Sequence, residues 1–293
     1  VSARRGVVAA RLAGVPSPLG RAELAALVAG VVAGNADATF GLELGGLDRP
    51  SRDDVWAALA EGWGCDPTAA AVTIAVERTV TAAGIAAEHL AEVCRAGGSV
   101  AMATGRPASM LGCYQELGRR LEAAGATVLR SNAPAQGTDS GSARYPPSIW
   151  WVERVAVVTD GRSIRADDGI RLTDDRSGLA GDWLFGVGRP DLVIADRGFA
   201  AAAAAAGHRT VAPADLDAVA LEVAARRGAP VTTVPLDCGR PPEAYAPLVG
   251  LLTARLTGLE AGATIGGPGG ARPPHSTTPA PGAYAAPESG GEG

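Results

Sequence analysis

The chain has no lysine: all 26 of its basic residues are arginine. A Schiff-base lysine and a Walker-type phosphate lysine are both excluded, so an anion would be held by guanidinium forks or backbone N–H groups. Histidine is nearly as scarce. Of the three, His89 falls in a helical stretch, His208 follows Gly207 at a helix end and His275 lies far down the chain, and none has metal-ligand spacing. The four cysteines, Cys65, Cys94, Cys113 and Cys238, contain no C-x-x-C pair and are read as buried reduced thiols, not as a zinc or disulfide framework. The most apolar windows, residues 25–33 and 200–206, are too short to cross a bilayer, and Arg11 interrupts the opening before a leader-like apolar run develops. The expectation is a cytoplasmic protein with no membrane partner. Its 31 acidic residues outnumber the 26 basic ones, which leaves no basic footprint for nucleic acid. G-x-G-x-x-G, Walker A and G-x-S-x-G patterns are all missing, so no nucleotide or flavin motif and no serine elbow is present.

What the sequence does contain changes character near residue 97. Residues 1–96 read as a helical region packed on the core, with helices over 21–32, 53–61, 68–80 and 85–95; Ser51-Arg-Asp-Asp54 is a capping-box variant that opens the second. From Ser99 onward, short apolar runs alternate with amphipathic stretches. Strands are expected over 100–103, 127–129, 152–159, 192–195, 209–212 and 231–235, and helices over 109–124, 199–206, 216–227 and 244–259. This alternation predicts an α/β fold over 97–260: a doubly wound, mostly parallel sheet of about six strands. Residues 131–148 read as a loop, and 261–293, rich in Gly, Pro, Ser and Thr, as a disordered tail. Trp150-Trp151 are assigned to packing, while Trp183 and Phe185 suit either a lid or a satellite of the core.

Two strand-to-helix junctions concentrate the chemistry. In Thr104-Gly105-Arg106-Pro107, Gly105 permits a tight turn, Thr104 supplies a hydroxyl, and Pro107 suits the first helical position. In Asp196-Arg197-Gly198, a carboxylate and a guanidinium stand where another helix begins. The carboxyl edge of a parallel sheet is where ligands bind, and a helix N-terminus beside an arginine favours an anion such as phosphate. Thr104, Gly105, Arg106, Arg197 and Gly198 are therefore the candidate substrate-binding residues, and Asp196 and Asp160 the candidate catalytic ones. Asp160-Gly161 ends the 152–159 strand in the same manner. Were Asp160, Asp196 and Asp237 to converge, their oxygens would suit magnesium or manganese. Asp237 is the weaker candidate, and Asp215 and Asp217 read as helix caps.

These motifs together resemble a family of actinobacterial proteins known simply as phosphatases. The resemblance rests on Val100-Ala-Met-Ala-Thr-Gly-Arg-Pro107, Leu111-Gly-Cys-Tyr-Gln-Glu-Leu-Gly118, Val155-Ala-Val-Val-Thr-Asp-Gly161, Pro190-Asp-Leu-Val-Ile-Ala-Asp-Arg-Gly-Phe-Ala200 and Val231-Thr-Thr-Val-Pro-Leu-Asp237, with Gly41-Leu-Glu-Leu-Gly45 in the helical region. It covers residues 8–251 and implies a hydrolase acting on a small phosphorylated metabolite. The family pattern has a histidine where this chain has Arg197, and a His-Thr-His run where it has Arg165-Ala-Asp-Asp168. Asp167 or Asp168 can replace a metal ligand, but arginine replaces histidine neither as a ligand nor as a proton shuttle. The expected cation set is thus Asp160, Asp196 and Asp168, holding Mg²⁺ or Mn²⁺. The alternative is a catalytically inert paralogue that binds a small anion.

Overall fold

The period-2 and period-3.6 patterns beyond Ser99 fold into one doubly wound α/β sheet. The computed structural model describes residues 2–44, 49–66, 68–69, 71–130, 148–159, 172–173 and 180–256. The sheet is built from β1 (Ser99–Ala103), β2 (Thr127–Val128), β3 (Ser148–Val152), β4 (Val155–Thr159), β5 (Leu172–Thr173), β6 (Leu192–Ala195), β7 (Thr210–Ala214) and β8 (Val231–Pro235), in the order β3-β4-β1-β6-β7-β8. β4, β1, β6, β7 and β8 run parallel, β2 adds a parallel bridge to β1, and β3 and β5 pair antiparallel with β4. Every residue of β4, β6 and β7 is buried, as expected of strands covered on both faces.

The chain leaves β1 for β4 on one side, then returns to place β6, β7 and β8 on the other. Winding therefore reverses at β1. The carboxyl ends of β1 and β6 flank the crevice where a doubly wound sheet binds its ligand.

Ahead of the sheet come α1 (Ser2–Ala9), α2 (Arg21–Ala33), α3 (Ala36–Thr39), α4 (Arg52–Ala57) and α5 (Val76–Arg95). The capping box forms as predicted: Ser51 Oγ accepts from Asp54 N at 3.1 Å, and Asp54 Oδ2 accepts from Ser51 N at 2.8 Å. Within and after the sheet come α6 (Pro107–Ala123), α7 (Ala180–Val187), α8 (Arg197–Ala205), α9 (Val219–Arg226) and α10 (Ala246–Leu252). One hydrophobic cluster runs from Val7 to Leu256, so the early helices share the core of the sheet. Asp237 N also donates to Leu12 O at 2.8 Å, and Pro16 bridges Thr73, which ties the first segment to the end of β8 and the entrance of α5.

Several boundaries differ from expectation. The strand expected over 152–159 is instead a hairpin, β3 and β4, turning at Glu153 with φ 55°; its two apolar runs hide a turn that has no glycine. The helices expected over 68–80 and 85–95 are replaced by one, α5, which begins only at Val76 and runs through Gly84, where a side chain would meet open space. The helix expected over 53–61 passes from α4 into a π-helical turn at Ala58–Gly62. The polar stretch before β6 contains α7, whose Trp183 is buried edge-on to Phe199 with ring centroids 5.3 Å apart. Trp183 thus belongs to the core. The last helix stops at Leu252, and the tail lies outside the described residues. All four cysteines are buried and unpaired with one another, as the sequence predicts.

Candidate active site at the topological switch point

The geometry begins with Asp196, which follows β6 directly and is 1% exposed. Its Oδ2 accepts from Thr104 Oγ1 at 2.7 Å and from Tyr114 OH at 3.1 Å, and its Oδ1 accepts from Gly105 N at 2.7 Å. The carboxylate therefore clamps the end of β6 to the turn after β1, across the switch point. Burial pushes its pKa up, against those three donors and the nearby charge of Arg106. Thr104 completes the turn: its N–H donates to Ala156 O at 2.9 Å, and its Oγ1 accepts from Arg106 N at 3.0 Å. Gly105 contributes its N–H; its φ is not left-handed.

Arg106 is the residue before α6, with Pro107 at the first helical position, and Arg197 opens α8. Both arginines turn toward one atom. Arg106 NH2 lies 2.6 Å and Arg197 NH2 2.5 Å from Asp217 Oδ2. Burial works against the Arg106 charge, but Asp217 and Asp215 more than offset it and the guanidinium is held protonated. Arg197 is 4% exposed and its guanidinium lies over the Phe40 ring, 6.0 Å from the centroid.

Arg197 also has φ 49°, in the left-handed region. That conformation costs a bulky residue of order 1–3 kcal/mol and persists only where its surroundings impose it. Arg11 and Phe40, with φ 57° and 52°, follow the ends of α1 and α3, where left-handed residues are ordinary helix terminators. Arg197 begins a helix, so that account does not apply to it. The chain takes the strain where it presents a guanidinium to the cleft.

The cleft has a volume of about 550 Å³ and is lined by both arginines, by Asp215 and Asp217 beyond β7, and by Asp237 and Arg240 beyond β8, with Arg11 and Pro16–Leu19 closing one side. Arg240 NH2 pairs with Asp237 Oδ2 at 2.6 Å. Asp217 Oδ1 and Arg240 Nε are buried with no hydrogen-bond partner among the described residues. Asp215 Oδ1 accepts from Leu216 N at 2.7 Å and its Oδ2 from Cys238 N at 3.3 Å. Its pKa is pushed up to about 6, first by burial and then by the charge of Asp217, with Arg106 opposing. Burial also lifts the Cys238 thiol well above its ordinary value, which keeps it from acting as a thiolate.

The structure thus brings together Thr104, Gly105, Arg106, Asp196 and Arg197, with Gly198 buried in the first turn of α8. Asp160, Asp167 and Asp168 lie outside the described residues. Among the described residues, no three His, Cys, Asp or Glu side chains are placed to hold a cation. Asp196 turns both oxygens to protein donors, and Asp217 is engaged by two arginines, so the described part of the cleft does not fit a metal. Asp215, Asp217, Arg240 and Arg11 are the cleft residues that sequence reasoning missed. The signal was there for the two aspartates: each follows the carboxyl end of a parallel strand, the criterion that singled out Asp196. Asp215 is in fact a helix cap as well, through Leu216 N.

The fold and cleft define a doubly wound α/β protein with an arginine-lined cleft at its switch point. A family profile described as "Phosphatase" matches residues 2–259, and the chain belongs to that family. No curated protein matches it. Among the described residues no helix is long and apolar enough to cross a membrane.

Proposed function

We propose that the protein hydrolyses the phosphate monoester of a small metabolite, with the phosphoryl group gripped by Arg106 and Arg197. One observation carries this reading: guanidinium groups from two different strand ends meet on a single oxygen, Asp217 Oδ2. That carboxylate oxygen stands in for a phosphoryl oxygen, marking where both forks point. Phosphoryl transfer requires little covalent help from the protein; positioning and stabilisation of the equatorial oxygens supply most of the catalysis. Arginine forks aimed into a partly desolvated cleft provide both. A water molecule is the nucleophile in this reading, and no step is routed through a cation.

The test is phosphate release from a panel of phosphorylated metabolites, with Mg²⁺, Mn²⁺ or EDTA present, for the wild type beside Arg106→Ala. The expected outcome is turnover that Arg106→Ala lowers by more than about 100-fold, the scale for one lost transition-state donor. Turnover abolished by EDTA would instead restore the expected cation site of Asp160, Asp196 and Asp168. Thermal stabilisation by orthophosphate without any release would make the protein an anion binder and overturn the hydrolase.

A further inference from the structure

The three carboxylates of the cleft are not equivalent. Asp217 is engaged by two arginines and Asp237 by Arg240, both at ion-pair distance. Asp215 has only two backbone donors, and its one cation, Arg106 NH2, stands at 3.7 Å, beyond hydrogen-bond length. We propose that Asp215 is the general acid that protonates the leaving oxygen of the ester, an assignment that rests on the phosphatase reading above.

Position supports it first. Arg106 NH2 lies 2.6 Å from the oxygen that marks the phosphoryl position and 3.7 Å from Asp215 Oδ2. An ester whose terminal oxygen takes the place of Asp217 Oδ2 carries its bridging oxygen two bonds away through phosphorus, within the cleft side that Arg106 shares with Asp215. Asp215 is the carboxyl group on that side without a close cation. Its surroundings then favour the protonated form. Asp217 on its own segment and Asp237 beyond β8 face it with negative charge, Cys238 faces it as a neutral thiol, and Arg106 from the turn after β1 is the opposing positive charge. Arg11, Arg197 and Arg240 line the same cleft, the last two on Asp217 and Asp237. With its carboxyl pushed up to about 6, Asp215 can hold a proton near neutrality and still give it up.

The step balances without a further reactant. The ester P–O bond breaks with its electron pair going to the bridging oxygen, which takes the Asp215 proton and leaves as an alcohol. Water forms the new P–O bond and loses a proton to solvent, and Asp215 regains one from solvent.

Leaving-group dependence tests this. Glycerol 2-phosphate departs as a poor alkoxide and needs the proton; p-nitrophenyl phosphate departs as a stable phenolate and does not. Asp215→Asn is expected to lower kcat/KM for glycerol 2-phosphate by about 10²- to 10⁴-fold and for p-nitrophenyl phosphate by less than about tenfold. In the wild type, glycerol 2-phosphate turnover is expected to fall above about pH 6 on a limb that p-nitrophenyl phosphate turnover lacks. That comparison decides the question even if Asp215→Asn fails to fold. Equal losses on both esters, or identical wild-type pH profiles, would overturn the acid and leave the phosphatase reading standing. No release from either ester by the wild type would overturn both.

Discussion

Removing the Asp196 carboxylate separates a structural role from a chemical one. In Asp196→Ala, Thr104 Oγ1, Gly105 N and Tyr114 OH lose their acceptor inside a site that is 1% exposed. Each stranded donor costs about 1–3 kcal/mol, and deleting one partner of a buried charged network costs about 3–5 kcal/mol in total. For a chain of this size that is a fall in melting temperature of roughly 6–20 °C, at about 2–4 °C per kcal/mol. Asp196→Asn keeps one acceptor oxygen and is expected to cost about half as much. The assay is urea and thermal unfolding of the three proteins, with phosphate release measured well below their melting points. If Asp196 is the clamp, Asn recovers stability and activity together. An Asp196→Ala protein that melts like the wild type yet releases no phosphate would refute the clamp and make the carboxylate a reacting group.

Three further outcomes follow from the same geometry. The Asp215 carboxyl is raised from an ordinary value of 3.8 to about 6, so the folded state binds more protons between those values and stability falls as pH rises through them. Asp215→Asn removes a penalty with an upper limit of about 3 kcal/mol at pH 7 and none below pH 3.8, so urea melts at pH 7 and pH 3.5 should differ; an equal effect at both would refute it. Asp217→Asn weakens the internal competitor for Arg106 and Arg197, so orthophosphate should raise its melting temperature more than it raises that of the wild type, and an equal shift would remove Asp217 Oδ2 as the marker of the anion position. Trp183→Ala empties a core site edge-on to Phe199 and should cost about 3–5 kcal/mol in denaturant unfolding; a change below about 1 kcal/mol would return α7 to the surface.

The parts of the fold that were legible are those in which burial on both faces leaves an uninterrupted apolar run. β6 and β8 sit where the sequence placed them: Leu192–Ala195 is wholly apolar, and Val231–Pro235 is a β-branched run ended by proline. The β3–β4 hairpin was hidden because its turn uses Glu153 at a left-handed φ instead of Asn or Gly. The break expected between 80 and 85 does not occur, because the weak helix propensity of Gly84 is overridden by a long buried face from Thr79 to Cys94. In the site, Arg106 and Arg197 were found through the strand-end rule. Asp215 caps the turn after β7 and Asp217 does not, but in sequence a capping aspartate and a cleft aspartate look the same until the sheet brings β7 beside β6. Nor could the sequence reveal that Asp196 faces inward, since its partner Tyr114 lies 82 residues earlier, in α6.

The cleft is assembled from distant parts of the chain, and this bears on how the protein folds. Asp196 meets Thr104 across 92 residues and Asp217 meets Arg106 across 111. Its wall is begun by Arg11 and finished by Arg240. Contacts this far apart in sequence form only after their long loops have closed, which makes them slow to appear. A chain still emerging during synthesis lacks part of the cleft lining until β8 and the Arg240 turn are in place. The finished cleft therefore reports the finished molecule, and a fragment cut anywhere between Arg11 and Arg240 lacks part of its lining.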